Sequence, residues 1–468
     1  MTQWVRGWVG PLALVLACGL WGLALACKGS GPGTESDAGT ESDAGTESDA
    51  GTESDAGTEP DAGTESDAGT EPDAGTESDA GTEPDGGIPG SCTSCACVEP
   101  DFTVLPRGQN QYPFDFLFLP EGGLLAVGTE SHGSEGPLGG VMRVVLGPDG
   151  APRSGTCGFI SDWGTWASDI VRRDDGTFFI VGYLSGQPQS RQEEMRLWKT
   201  SAPDAPLDLV ATYSKATGGV KDFGLALTAE GSPVVGFNTL SDSGTGWVLR
   251  LHRYLSNGAL DPTFGTGGVV QYSGGASTSG NALTRLPDGK LVVMGVVNSG
   301  VKDVFALRLL PDGQLDSTFS GGVVHIESLE NEGGLKVVPL EDGGLMLGGR
   351  SGSSPSGVRL ARLLSDGTLD STFGEGGQLR LPSTEGALVD FLVRPGGKLL
   401  VITTKGLLQL LPDGSLDPDF APGGTPPFRL SPTVGKLAED GTLVLLGTVI
   451  NPLDYRRTDF AMQRIRLP

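Results

Sequence analysis

The chain has 468 residues, which is too long for one ordinary hydrophobic core, and its composition is uneven along its length. It carries 58 acidic against 32 basic side chains and a formal net charge of −26. No stretch concentrates basic residues, and the acidic excess would repel phosphate groups, so nucleic-acid binding is not expected.

The N-terminus predicts an export signal. A mostly apolar run covers residues 9–26 and ends in the stretch Leu-Ala-Leu-Ala before Cys27. This stretch resembles the signal of bacterial lipoproteins, in which such a cysteine is diacylated and becomes the new N-terminus. We therefore expect a signal peptide at 1–26 and lipid attachment at Cys27, which would anchor an exported protein to the cell envelope, at the outer membrane or cell surface. Cleavage at Cys18 and an uncleaved membrane helix are the alternatives.

An acidic, low-complexity tract follows. Residues 33–86 are nine hexads, mostly Gly-Thr-Glu-Ser-Asp-Ala, and each hexad carries one Glu and one Asp. The tract thus holds 18 negative charges, which leaves only −8 for the rest of the chain. It has no Leu, Ile, Val or aromatic side chain to bury, so we expect residues 27–91 to form a disordered linker that acts as a spacer. Calcium binding by its acids and O-glycosylation of its hydroxyls remain open.

A cysteine-rich connector is predicted at residues 92–100. Apart from Cys27, the mature chain has four cysteines: Cys92, Cys95, Cys97 and Cys157. In an exported protein these four are expected to pair in two disulfides, with three possible connectivities. The Cys-x-x-Cys-x-Cys spacing also suits a metal or redox centre, but no histidine lies near it in the sequence.

From residue 101 onward the chain repeats two short elements. One is LLPDGQLDSTF at 309–319, with copies at 254–264, 363–373 and 410–420. The other, LPDGKLVVMG at 286–295, recurs in seven versions. Their turn glycines are 44 to 58 residues apart: Gly122, Gly176, Gly231, Gly289, Gly343, Gly397 and Gly441. A period of this size indicates a repeat architecture.

Each repeat predicts four strands. Its two Asp-Gly or related turns lie between short runs of Val, Leu, Ile and Phe, and such turns are strong hairpin signals. The runs are apolar on both alternating faces, which is typical of strands covered on both sides. Seven such units predict an all-β fold, a seven-bladed β-propeller of four-stranded blades over residues 101–468. The C-terminal FAMQRIRLP matches a third strand, so we expect residues 102–105 to complete the last blade and close the ring.

The repeats resemble the bacterial delta-60 repeat family, whose units carry the elements LxxDGxLDxxFGxGG and LxPDGKIxVxG. Residues 260–268 (LDPTFGTGG) and 369–377 (LDSTFGEGG) match closely. The resemblance is strong over 223–430 and fades in 101–222 and in the last unit. It implies a propeller in an exported or surface protein, and it implies no reaction.

Few residues suggest chemistry. One aspartate recurs in the first element, and we expect it to form Asx turns rather than a calcium site: Asp261, Asp316, Asp370 and Asp417. The three histidines lie in no catalytic or metal-binding motif: His132, His252 and His325. Residues 162–166 (DWGTW) resemble the Asp-box of sialidase propellers only faintly. The sequence therefore predicts no catalytic residues, no metal site and no cofactor.

The topology indicates where a ligand would bind. Both tight turns of each unit fall at one end of the blade, and the longer, more varied connections fall at the other. Variable loops on a rigid scaffold usually carry binding. That loop face is predicted to hold aromatic and arginine side chains of the types common at interaction hot spots: Trp163, Trp166, Tyr183, Trp247, Tyr455, Arg456 and Arg457. The alternative is that these side chains only cover blade edges.

Together these patterns predict a lipid-anchored, monomeric propeller on an acidic stalk. We expect it to bind or scaffold an envelope protein or glycan through its loop face rather than to catalyse a reaction. A surface hydrolase or lyase acting on polysaccharide is the first alternative, and paired carboxylates near the ring axis would favour it. A purely structural envelope protein is the second.

Overall fold

The structure is a computed structural model. It describes residues 97–99, 101–105, 110–131, 139–153, 158–159, 164–185, 193–215, 219–298, 302–326, 334–350, 357–421, 425–452 and 454–468. The predicted signal peptide, the lipid-attachment residue Cys27 and the acidic linker lie outside the described residues. Within the described part of the chain, no helix is long and apolar enough to span a membrane.

The described chain folds into strands that form seven antiparallel sheets. Blade 1 contains β3 (Asn110–Phe118), β4 (Leu124–Ser131), β5 (Gly139–Leu146) and β6 (Gly158–Phe159). Blade 2 contains β7 (Thr165–Arg172), β8 (Phe178–Leu184), β9 (Glu194–Thr200) and β10 (Asp208–Ser214). Blade 3 contains β11 (Val220–Leu227), β12 (Pro233–Leu240), β13 (Trp247–Arg253) and β14 (Val269–Tyr272).

The second half of the ring repeats this order. Blade 4 contains β15 (Ser277–Arg285), β16 (Leu291–Asn298), β17 (Lys302–Leu309) and β18 (Val323–Ile326). Blade 5 contains β19 (Gly334–Pro339), β20 (Leu345–Arg350), β21 (Val358–Leu363) and β22 (Gln378–Leu381). Blade 6 contains β23 (Leu388–Val393), β24 (Leu399–Thr403) and β25 (Leu407–Leu410). Blade 7 contains β26 (Ser431–Leu437), β27 (Leu443–Ile450) and β28 (Thr458–Ile465), followed in the sheet by β2 (Phe102–Leu105) and β1 (Cys97–Glu99).

The tight turns have the geometry that their sequence predicts. In the turn between β15 and β16, the Gly289 N–H donates to the Leu286 carbonyl at 2.9 Å, and the Asp288 carboxylate accepts the Lys290 N–H at 3.2 Å. Gly289 has φ +87°, a left-handed conformation that glycine adopts without a steric cost. The corresponding glycines of the other six units also have positive φ. These local signals therefore fix the hairpins.

The ring closes through its blade-to-blade cores. The first strand of each blade is innermost and contacts the first strand of the next, and the circuit returns from blade 7 to blade 1. Seven buried apolar clusters lie between the seven pairs of neighbouring blades. Phe116, for example, is fully buried in the cluster that joins blades 1 and 7. The runs that are apolar on both faces are thus explained, because each blade packs against two neighbours.

The predicted closure by an N-terminal strand is confirmed. Strand β2 pairs antiparallel with β28, with Phe102 opposite Gln463 and Leu105 opposite Phe460. The buried Thr103 hydroxyl donates to the Gly150 carbonyl of blade 1 at 3.0 Å. The two ends of the propeller domain are therefore held in one sheet, which covers the edge that β28 would otherwise expose.

The seven-bladed architecture is confirmed, with two local differences from uniform four-stranded blades. In blade 7, β1 adds a fifth strand. In blade 6, the described residues form three strands. The segment after β25 carries Pro418, Pro422, Pro426 and Pro427. Proline has no N–H to donate to a strand ladder, which explains why no outer strand forms in the described part of this segment.

Candidate functional site

All seven inner strands carry a β-bulge, which shifts the pairing with the second strand of the blade. The extra residue of each strand is Phe114, Ser168, Phe223, Asn281, Leu335, Val389 or Thr433. A bulge twists the strand and redirects its side chains, and bulges are common next to functional sites. Here it sets the direction of the side chains that surround the ring axis.

Aspartates that follow the bulge link neighbouring inner strands. The Asp169 carboxylate accepts the Leu225 N–H of blade 3 at 2.8 Å, and Asp390 accepts the Gly435 N–H of blade 7 at 3.1 Å. Asp115 accepts the Ile170 N–H of blade 2 at 3.4 Å. Each inner strand is the edge of its sheet, so its inward N–H groups need partners outside the sheet. These aspartates supply them, which is a structural role.

Two lysines form ion pairs with two of these three aspartates. Lys436 Nζ lies 2.8 Å from Asp115, and Lys336 Nζ lies 2.8 Å from Asp390. Asp169 is hydrogen-bonded to Asp115 instead. Burial, and then the negative charge of Asp115, raise the pKa of Asp169 well above its usual value. The protonated form of Asp169 is thereby favoured, and its O–H can donate to Asp115.

A second group of polar side chains lies nearer the loop face, at the junction of blades 2 and 3. The Ser168 hydroxyl donates to Asp222, and burial raises the pKa of Asp222 to about 7. The Glu193 carboxylate accepts the Val220 N–H at 2.9 Å. Burial, followed by the charges of Asp222 and Glu193, raises the pKa of Tyr183 to about 12. A neutral phenol thus lies beside two carboxyl groups.

Three aromatic rings adjoin these groups. The Trp166 and Tyr183 rings stack with centroids 5.9 Å apart and planes inclined by 14°. The Phe114 ring of blade 1 lies 6.3 Å from that of Trp166, and Phe114 is 39% exposed. The buried Nε1–H of Trp166 has no acceptor within the described residues. We call this set the aromatic–carboxylate cluster: Phe114, Trp166, Ser168, Tyr183, Glu193 and Asp222.

The other predicted loop-face residues are not part of this set. The half-buried Trp247 ring has Lys221 Nζ 5.6 Å from its centroid. On blade 7, Tyr455 is 83% exposed, Arg456 is exposed, and Arg457 pairs with Asp454 at 2.9 Å. Of the six predicted loop-face residues that the structure describes, Trp166 and Tyr183 are the two that belong to this cluster. Several predicted residues lie outside the described part: Trp163, Cys92, Cys95 and Cys157. Cys97 lies in β1.

The recurring aspartates form Asx turns, as predicted. Asp316 Oδ1 accepts the backbone N–H and the hydroxyl of Thr318, at 3.1 and 2.6 Å. Their arginine partner was not predicted from the sequence. The buried Arg308 guanidinium lies 2.8 Å from Asp316, stacks 4.4 Å over the Phe319 ring, and donates to the Ser365 carbonyl of blade 5 at 2.6 Å. Arg253 and Arg362 make equivalent pairs in blades 3 and 5. The signal was an arginine eight residues before three of the four aspartates; before Asp417 the same position holds Gln409, which donates to Asp417 instead.

In the described part of the chain, neither the histidines nor any group of acidic residues indicates a metal site. His252 is buried between aromatic rings of blades 2 and 3, and burial lowers its pKa to about 4. His325 is exposed on β18, and His132 lies outside the described residues. Among the residues that the structure describes, no three His, Cys, Asp or Glu side chains are grouped closely enough to hold a metal ion.

Three sizeable cavities open at the turn face rather than at the loop face. Cavities of about 590 and 520 Å³ lie between blades 4 and 5 and between blades 7 and 1. A third, of about 400 Å³, lies among the turn-face ends of the inner strands of blades 2 to 4. None of the three is lined by the aromatic–carboxylate cluster.

A family model agrees with the fold. A family described as "Domain of unknown function (DUF5122) beta-propeller" matches residues 286–319 and 340–373, which lie in blades 4 and 5. No curated protein matches the sequence.

Solved structures match this chain at low identity and with low TM-scores. A protein of unknown function from Dyadobacter fermentans is 12% identical with a TM-score of 0.43, covering 78% of this chain and 98% of that one. The GH93 α-L-arabinofuranosidase of Fusarium graminearum, solved with arabinobiose, is 11% identical with a TM-score of 0.44, covering 79% and 98%. The α-L-arabinanase of Penicillium chrysogenum, also solved with arabinobiose, is 13% identical with a TM-score of 0.42, covering 79% and 98%. Likeness at this level carries no conclusion about activity. With the family match and the seven blades, the chain is a β-propeller repeat protein.

Proposed function

We propose that the protein is an exported glycan-binding propeller, which holds a saccharide on its loop face at the aromatic–carboxylate cluster. The observation that supports this most directly is the row of rings formed by Phe114, Trp166 and Tyr183, with carboxyl groups beside it. The apolar C–H face of a sugar ring packs well on aromatic faces, while its hydroxyls need polar partners. A binding surface of aromatic rings with a few placed polar groups has that chemistry.

The polar groups of the cluster suit sugar hydroxyls. The carboxyl groups of Asp222 and Glu193 can accept hydrogen bonds, and Tyr183 can donate one as a neutral phenol. The Trp166 Nε1–H and one oxygen of Asp222 are buried without a protein partner in the described part of the chain. A buried polar group without a partner costs about 1–3 kcal/mol. Hydrogen bonds to a bound ligand would remove that cost.

Binding is favoured over glycoside hydrolysis because of the spacing of the paired carboxylates. Asp115 and Asp169 are hydrogen-bonded to each other, whereas retaining glycosidases hold their two carboxyl groups about 5–5.5 Å apart and inverting enzymes farther still. Asp115 also pairs with Lys436, and Asp169 accepts the Leu225 N–H. Both carboxyl groups are thus committed to holding inner strands together.

The same proposal includes attachment to the envelope. Lipidation at Cys27 would anchor the chain in a membrane, and the acidic tract at 33–86 would hold the propeller away from it. A tethered binding domain gains effective concentration near its surface, so modest affinity for a polymeric glycan would suffice. The lipid itself is testable by mass spectrometry of the N-terminal peptide, since a Cys27→Ser variant should lose the acyl mass and leave the membrane fraction.

The experiment that tests glycan binding uses the full chain in detergent on a panel of neutral and acidic polysaccharides, followed by calorimetry on those that bind. We expect Trp166→Ala and Tyr183→Ala each to lower the affinity at least tenfold, since stacked aromatic residues of this kind are typical hot spots. Tyr455→Ala, an exposed aromatic change on blade 7, serves as the matched control and should bind normally.

Two results would contradict the proposal. One is a panel on which the wild-type chain binds no saccharide. The other is a saccharide that both cluster variants bind as tightly as the wild type, while circular dichroism shows all proteins folded. If the wild type captured an envelope protein instead of a glycan, and Trp166→Ala lost that capture, the cluster would still be the binding surface. Its ligand would then be a protein rather than a glycan.

A further inference from the structure

The turn face carries a second site with different chemistry. Its cavity of about 400 Å³ lies among the turn-face ends of β7, β11 and β15, with Leu117 of blade 1 completing the wall. Along β7, Trp166 and Arg172 are six positions apart, so the cavity lies about 20 Å from the aromatic–carboxylate cluster at about 3.3 Å per residue. It therefore belongs to the opposite end of the ring.

Three arginines line this cavity: Arg172, Arg173 and Arg285. Arg173 is already held in place, because it pairs with Asp175 at 2.5 Å and its guanidinium lies 5.6 Å over the Phe179 ring. Its side chain also covers Gly231 of blade 3, where an added Cβ would come within 2.5 Å of the Arg173 Cδ. Arg173 thus shapes the wall between blades 2 and 3.

Arg172 and Arg285 remain available for a ligand. Arg172 is exposed at the end of β7, and its guanidinium lies 5.8 Å over the Phe178 ring. Arg285 ends β15, is half-buried, and has a buried Nε–H with no acceptor in the described part of the chain. Neither makes a salt bridge there, whereas the structural arginines Arg253, Arg308 and Arg362 all do. Two arginines from blades 2 and 4 thus line one cavity, and neither forms a salt bridge with a carboxylate of the described residues.

We propose that this cavity binds an anionic small ligand through Arg172 and Arg285. The ligand class is one that presents a carboxylate, sulfate or phosphate group, because the planar guanidinium fork matches those oxygens in pairs. The cavity is larger than a single inorganic ion, and 300–1,000 Å³ is the usual range for small-molecule sites. An acidic sugar unit therefore fits its size and charge. The site does not depend on the glycan-binding function proposed for the loop face.

The remaining lining groups are compatible with this assignment. Asp174 is the one acidic residue among those that line the cavity, and it is exposed. Glu230 is exposed, and its pKa is lowered by hydrogen bonds from its own backbone and the Thr228 hydroxyl and then by the charges of Arg253 and, last, Arg285. These carboxylates are exposed to solvent and attract the same arginines as the ligand does. A ligand must therefore carry a full negative charge to compete with them, which favours an anion over a neutral sugar.

The test is calorimetry of the full chain in detergent with sodium sulfate, sodium phosphate, galacturonate and galactose, at an ionic strength kept constant with sodium chloride. We expect saturable binding of at least one anion and none of galactose. Arg172→Gln and Arg285→Gln should each weaken that binding at least tenfold. Arg456→Gln removes the same charge from an exposed position on the loop face and should bind like the wild type.

The anions distinguish the source of the ligand. Binding of galacturonate assigns an acidic sugar, and binding of sulfate or phosphate alone assigns a free tetrahedral anion. Absence of saturable binding by every anion would overturn the proposal. So would an affinity for galactose equal to that for galacturonate, or an equal loss in Arg456→Gln. Because Arg285→Gln removes a half-buried side chain, the thermal midpoint of this variant is first compared with that of the wild type. If Arg285→Gln does not fold, the exposed Arg172→Gln decides the test.

Discussion

Replacing Asp222 by Asn should remove a specific part of the dependence of stability on pH. Burial raises the pKa of this carboxyl group from 3.8 to about 7 in the folded protein, while the unfolded chain keeps the ordinary value. Between these two values the folded state holds a proton that the unfolded state has lost. Stability from this group is therefore greatest below pH 4 and falls as the pH rises toward 7, beyond which the full penalty of a buried charge applies.

The magnitude follows from the size of the shift. Each pKa unit corresponds to about 1.36 kcal/mol, so a shift of roughly three units gives a ceiling of about 4 kcal/mol. About 3 kcal/mol of that ceiling falls between pH 5 and pH 8 by the same linkage relation. Asp222 is only half-buried and accepts a hydrogen bond from Ser168, so solvent and this bond reduce the effect. We expect Asp222→Asn to be more stabilising at pH 8 than at pH 5, by about 1–3 kcal/mol.

The measurement is urea unfolding followed by tryptophan fluorescence at pH 5, 6.5 and 8. The wild type, Asp222→Asn and the exposed control Glu375→Gln are compared at each pH. Asp169 stays in all three proteins, so its own raised pKa cancels in the comparison. If the free-energy difference between wild type and Asp222→Asn is the same at pH 5 and pH 8, Asp222 ionises normally and the reasoning is wrong.

Three further predictions concern the scaffold. Arg308→Ala removes the shorter of the two ion pairs of the buried Asp316, whose carboxylate keeps Lys290 Nζ at 3.1 Å. It should cost about 2–3 kcal/mol in urea unfolding, less than the roughly 3–5 kcal/mol of a buried charge left with no partner, and a loss below about 1 kcal/mol would contradict the inter-blade role. Gly441→Ala should lower the free energy of unfolding by about 1–2 kcal/mol, for its positive φ alone. Gly313→Ala should lower it clearly more, because its Cβ would lie 2.8 Å from the Gly265 nitrogen, and equal losses in the two variants would refute this. Deleting residues 97–105 exposes the edge of β28 and should cause self-association in light scattering, so an unchanged monomer would count against closure by β2.

The sequence could predict the ring because its signals are local. A glycine after aspartate, between apolar runs, specifies a hairpin through a backbone conformation that few other residues tolerate, and the structure has such a hairpin at Gly289. Closure was predictable for a similar reason. The last strand of the chain matches an earlier third strand, so the fourth strand had to come from elsewhere, and residues 102–105 were apolar and unassigned.

The aspartates of the inner strands were missed, although a signal existed. Asp115 and Asp169 are 54 residues apart, which is the repeat period, and Lys336 and Asp390 have the same separation. Their roles depend on contacts between neighbouring blades, which no single repeat contains. The raised pKa of Asp169 likewise arises from burial and from the charge of Asp115, both of which are tertiary effects.

The stacking of Trp166 on Tyr183 could not be predicted by counting from the turn, because the bulge changes the register. Near the turn of blade 2, Arg172 pairs with Phe178 and Asp169 with Val181. Without the bulge at Ser168, the same count would place Trp166 opposite Leu184. The extra residue instead places Trp166 opposite Tyr183, where the two rings stack. Since a shift of one residue changes every later side-chain pairing, the bulge creates the ring pair.

The bulge is common to all seven blades, so it cannot by itself explain why the aromatic pair occurs in blade 2. The positions equivalent to Trp166 and Tyr183 hold Tyr112 and Thr129 in blade 1, and Lys221 and Asn238 in blade 3. Every blade therefore presents the same pair of positions beside the axis, and the residue types there decide what each blade can contact. In a ring of near-identical units, a specific ligand can be recognised only where one unit departs from the others. Among these three blades, blade 2 is the one with two aromatic residues at this pair, which is why its cross-strand pair, rather than the repeated turn motif, is the place to look for specificity.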